Sequence, residues 1–144
     1  MSADTGEAIP EARARPGTRR RVIAAVLLVL TIAAGLVVHA ALPDSSATDI
    51  AGDALYAVAA YLAVVLVAPR MPAPAVGAVA MLWCVGVELF QLTGLPLAWG
   101  AEFAPAMLLL GTVFDGRDLV VYIATIAVAT VLDAVIPSRT RSAR

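Results

Sequence analysis

Residues 22–42 read VIAAVLLVLTIAAGLVVHAAL, an unbroken apolar run of 21 residues in which only Thr31 and His39 are polar. At a helical rise of about 1.5 Å per residue the run covers roughly 30 Å, the thickness of one hydrocarbon core. Thr18 to Ile23 loosely fits a twin-arginine export signal, and Val38-His39-Ala40 fits a signal-peptidase site. The run is longer than the apolar region of a typical leader, and membrane-like sequence follows it, so a retained anchor is expected.

The rest of the chain has the same character. Of its 144 residues 61% are hydrophobic and only 15% are charged, with a mean hydropathy of +0.90. A soluble domain is far less apolar, so this composition excludes a disordered chain, a nucleic-acid-binding domain and an ordinary soluble enzyme core. The fold class it implies is all-α, a polytopic membrane protein. Pro43-Asp44-Ser45-Ser46 ends the first run in a loop without basic residues. A second span is expected from Ile50 to Ala68, and Pro69-Arg70-Met71-Pro72 forms a tight turn. A third runs from Pro74 to Leu92, with proline at a favoured first-turn position. Phe103 to Phe114, 12 residues, is too short to span and reads as a re-entrant or interfacial segment. Gly111 and Asp115-Gly116 read as turn residues that separate it from a fourth span, Asp118 to Ile136.

Three sections follow: residues 1–21 as a disordered cytoplasmic tail, 22–136 as a four-helix membrane domain, and 137–144 as a basic cytoplasmic tail. All ten basic residues are arginine. With four spans, the two tails and the turn at Arg70 share one side and hold every arginine but Arg117. The positive-inside rule makes that side cytoplasmic. The chain is therefore expected in the plasma membrane, with both termini inside and the lipid bilayer as its first partner. Cys84 is the single cysteine and His39 the single histidine. No disulfide, zinc site or cofactor is expected.

Alternating helix directions gather polar residues at one depth, the extracytoplasmic leaflet. Asp53 and Tyr56 start the second helix, Glu88 and Gln91 end the third, Asp118 and Tyr122 start the fourth, and His39 ends the first. On the third helix Gly77, Met81, Cys84, Glu88 and Gln91 share one stripe; on the fourth, Asp118, Tyr122, Thr125, Ala129 and Asp133 do. A carboxylate facing lipid at mid-helix costs about 2.5–3.5 kcal/mol, so these acids should face inward. Asp53, Glu88, Gln91 and Asp118 form the candidate polar site, with His39, Tyr56 and Tyr122 in support. Paired carboxyls of this kind can do general acid/base work, bind a cation or relay protons, or hold the bundle together as a hydrogen-bonded knot. Asp133 is expected in an ion pair with Arg139 or Arg70 at the inner boundary. Trp83 reads as a packing or lipid-facing residue and Trp99 as an interfacial anchor.

Gly52-Asp53-Ala54-Leu55-Tyr56-Ala57, Glu88-Leu89-Phe90-Gln91 with its flanks, Leu109-Leu110-Gly111 through Phe114, and Asp118-Leu119-Val120-Val121-Tyr122 resemble a family of small bacterial membrane proteins known as domain of unknown function 2809. The order Asp, Glu-x-x-Gln, Asp is also similar to VanZ-like proteins, associated with glycopeptide resistance. Those proteins carry a lysine and a histidine after the first Asp, where this chain has Ala54 and Tyr56. The resemblance implies that the four polar positions belong together; it implies no reaction. Three functions compete: a bacterial cell-envelope protein that binds or modifies an outer-leaflet amphiphile, a proton- or cation-coupled transporter working as a homo-oligomer, and a structural partner in membrane assembly.

Overall fold

The computed structural model describes residues 16–111 and 113–142, and side chains from residue 17 to residue 136 except Ala104 and Thr112. Among the described residues every regular element is helical: α1 (Pro16–Ala41), α2 (Ser46–Val67), α3 (Ala73–Gln91), α4 (Leu95–Glu102), α5 (Ala104–Leu110) and α6 (Gly116–Ser142). Four of them, α1, α2, α3 and α6, are long and apolar enough to cross a membrane. This agrees with the all-α, four-span architecture expected from composition.

The helix bounds have local causes. Helix α2 begins before Ile50 because Ser45 caps it: the Ser45 hydroxyl accepts from the Thr48 backbone N–H, and the Thr48 side chain accepts from the Ser45 N–H. Helix α1 begins at Pro16, so Arg19, Arg20 and Arg21 lie on its first turns and not in a tail. The remainder of the expected N-terminal tail, residues 1–15, lies outside the described residues. Helix α6 continues past Pro137. The apolar piece before it is shorter than expected, because α5 closes at Gly111 with φ of 63°, a backbone conformation that favours glycine. A second short helix, α4, precedes α5, and the Phe90 and Trp99 rings, 5.5 Å apart, hold it against α3.

Helices α2, α3 and α6 pack against one another, α1 packs on α2, and α4 and α5 cover one end of α3. The core joins Ala57, Tyr61 and Val65 of α2, Val76, Ala80 and Cys84 of α3, and Tyr122 and Ile126 of α6. The steps of four along each helix leave one stripe buried. Small residues set the spacing: a methyl group on Gly77 would collide with the Thr130 side chain, the close approach that membrane helices use in place of hydrophobic exclusion. Outward-facing residues such as Leu82, Val120 and Val128 are exposed and apolar, as a lipid-facing surface requires.

The two ends of the bundle differ in their polar groups. At one end Arg20 of α1 forms an ion pair with Asp133 of α6. Arg20 also donates to the carbonyls of Pro69 (2.9 Å) and Met71 (2.7 Å) in the α2–α3 turn. Tyr61 of α2 donates to the same Asp133 at 2.8 Å. Arg20, and not Arg70, is thus the partner of Asp133 among the described side chains; the side chain of Arg139 lies outside them. A guanidinium presents several donors in a fixed plane, so it can bind a carboxylate and two carbonyls together. Its neighbour Arg21 donates to the last α2 carbonyls, Leu66 at 3.0 Å and Val67 at 3.4 Å.

Candidate functional site

The candidate polar residues all lie at the opposite end, where they divide into two sets. Asp53 lies on α2 and Asp118 on the adjacent helix α6, and their carboxyl groups face the same cleft as near neighbours. Asp53 Oδ2 and Asp118 Oδ1 are buried, and no N–H or O–H donor among the described residues reaches them. Both residues border a cleft of about 540 Å³. His39 lies on its wall, together with Asp44, Asp49 and Asp115. Among the described residues the one guanidinium on the cleft is that of Arg117, 3.6 Å from Asp49 and 3.7 Å from Asp115.

Glu88 and Gln91 form the second set, and neither borders the cleft. Glu88 is 0% exposed. Its Oε2 accepts from the Asp115 backbone N–H at 3.3 Å, and its Oε1 accepts from the Tyr122 hydroxyl at 3.4 Å. Gln91, also buried, donates from Nε2 to the Leu110 carbonyl at 2.8 Å. Its Oε1 meets no donor among the described residues. Tyr56 has the same relation to α5, donating to the Leu109 carbonyl at 2.7 Å while accepting from Trp83 Nε1 at 3.0 Å. The Tyr56 and Tyr122 rings lie 6.0 Å apart, so these two supporting residues are neighbours.

The structure therefore joins Asp53 to Asp118 and His39 at the cleft, and sets Glu88 with Tyr122, and Gln91, behind it. Asp115 connects the two sets, its carboxylate on the cleft and its N–H on Glu88. Sequence reasoning treated Asp115 as a turn residue. Its place just before α6, with Oδ1 accepting from the Arg117 N–H at 2.8 Å, is the helix-start pattern that could have marked it. The carbonyls of Leu109 and Leu110 carry no side-chain signal and could not have been found. Trp83, expected to pack or face lipid, is half exposed but spends its N–H on Tyr56. Cys84 is a buried core residue, as expected.

Chemically, the cleft offers five carboxylates against one guanidinium. That balance suits a cationic group, which could supply the donors that Asp53 and Asp118 lack. Glu88 is closed to solvent in this arrangement. On the lipid-facing side of α3 an apolar groove of about 420 Å³ runs along Leu82, Trp83, Gly86, Val87 and Phe90 to Leu110.

No curated protein and no solved structure matches the chain. The family model for proteins of unknown function designated DUF2809 matches residues 42–126. That stretch contains α2 to α5, the first turns of α6, and all four candidate polar residues. This four-span membrane chain belongs to the DUF2809 family.

Proposed function

We propose that this is an integral protein of the bacterial plasma membrane, with both termini cytoplasmic, which binds an amphiphile carrying a cationic headgroup from the outer leaflet. The observation that carries this is the floor of the cleft, where Asp53 and Asp118 present buried acceptor oxygens that meet no donor. A buried acceptor without a partner forfeits about 1–3 kcal/mol, which a donor-bearing ligand recovers. The cleft lies at a bundle end surrounded by apolar helix surface, so a molecule with one charged and one apolar end suits it. The arginine-rich end, with Arg19, Arg20 and Arg21 on its first turns, supports the orientation through the positive-inside rule.

The test uses the full chain in lipid nanodiscs and stearylamine as the cationic probe, with oleate as its anionic counterpart. Stearylamine should raise the melting temperature and oleate should not. In Asp53→Asn or Asp118→Asn the apparent affinity for stearylamine should fall about tenfold, one lost charge-assisted hydrogen bond. Equal responses to the two amphiphiles, or an affinity that both substitutions leave unchanged, would reject the function.

Glu88 supports a structural role. It is wholly buried and both of its oxygens accept a hydrogen bond, which is what an acid acting as interhelical glue requires.

A further inference from the structure

The backbone of α5 lies close to α4 and α3 alone among the described helices. Its outward residues Leu108 and Leu109 are about half exposed, while Met107 lies against Gly100 of α4. Two side chains from the bundle hold its last turn: Tyr56 of α2 bonds the Leu109 carbonyl, and Gln91 of α3 bonds the Leu110 carbonyl. Both bonds end on carbonyls that the finishing helix leaves free. The turn closes at Gly111, whose backbone lies directly on the Gln91 amide, so that a methyl group there would collide with Nε2. Gln91 Oε1, beneath the same turn, has no donor. Leu110 also forms one end of the apolar groove on α3.

The geometry points to α5 as a side gate between the lipid-facing groove and the buried Glu88–Gln91 pair. Closed, it is held over Gln91 by one hydrogen bond from Gln91 and one from Tyr56, with little packing against α3. Swung away from α3 about Gly111, it joins the apolar groove to the polar layer that Asp115 links through Glu88 to the cleft, so an amphiphile's polar group can approach the cleft from the side while its chain stays in lipid. The donor-less Gln91 Oε1 gives the open state a compensation, since an entering donor satisfies it. Elements with few buried apolar contacts open locally well below the free energy of global unfolding. The identity of the amphiphile rests on the function proposed above; the gate itself is tested without any ligand.

Hydrogen exchange on the wild-type protein and on Tyr56→Phe and Gln91→Met, all in lipid nanodiscs, reads the gate. In the wild type, amides of residues 106–111 should exchange at least about tenfold faster than those of residues 79–86 in α3. Each substitution should accelerate residues 106–111 by a further factor of about five or more and leave residues 79–86 unchanged. The single thiol, Cys84, lies one helical turn from Glu88 and is buried; its reaction with N-ethylmaleimide should rise in step with the exchange of α5. Exchange of α5 and α3 at one common rate in the wild type would overturn the gate. So would an acceleration in the variants that α3 shares equally, because the two side chains would then hold the whole bundle and not a gate. Loss of stearylamine binding with normal α5 opening would reject the ligand and leave the gate standing.

Discussion

The Arg20 end and the Asp118 end of the bundle both collect polar groups and use them in opposite ways. At the Arg20 end one cation, one carboxylate, one hydroxyl and two carbonyls form a joined set across α1, α2, the α2–α3 turn and α6. At the Asp118 end, carboxyls face one another and three buried acceptors, on Asp53, Gln91 and Asp118, lack donors, whereas at the Arg20 end a single buried donor, Arg20 Nε, lacks an acceptor among the described residues. Partnered charge between helices stabilises a bundle, whereas unpartnered acceptors beside an opening leave something for a ligand to do. The contrast marks the first end as structural and the second as the place to look for function.

Breaking the Arg20 end should have the largest effect. Arg20→Gln leaves Asp133 as a half-buried charge without a cation, and should cost about 2–4 kcal/mol. The midpoint of unfolding in a mixed-micelle denaturant series would show it. A cost below that of an ordinary surface substitution would remove the distinction between the two ends. Asp53→Asn should shift the same midpoint by less than about 1 kcal/mol and toward greater stability, because an amide donates to Asp118 where a second carboxylate repels it. Opposite signs at the two ends would sharpen the contrast; matching losses would make Asp53 a structural residue. The smallest effect belongs to Arg117→Gln, whose ion pairs with Asp49 and Asp115 are well exposed. Stability should change by no more than about 0.5 kcal/mol, so salt titration of the wild type and variant should give nearly parallel curves.

Span number and helix direction were readable in the residues because a membrane requires length and apolarity, and little else in a sequence imitates 20 apolar residues in a row. The same constraint brought the candidate polar residues to one end, as alternating helix directions require. Their division was not readable. Periodicity places Glu88 and Gln91 on the buried stripe of α3, but which neighbour covers that stripe depends on α4 and α5, helices of eight and seven residues with no spanning signal. The partner of Asp133 was missed for a related reason. Arg20 stands 113 positions away, on helical turns that precede the apolar run, where composition alone reads a tail. Trp83 shows the limit from the other side, since a half-exposed indole gives no hint in the sequence that its N–H serves Tyr56.

The separation of Arg20 and Asp133 also orders events during synthesis. The ribosome adds about 5–20 residues per second, so Arg20 waits on the order of ten seconds for its carboxylate. Throughout that interval α1 and α2 can already sit together as a hairpin, since the backbone of α1 packs on α2. The guanidinium, however, can find its acid only when the last helix arrives. The ion pair is therefore a mark of completion, formed in a chain that has threaded every span and missing from one that has stalled before the end.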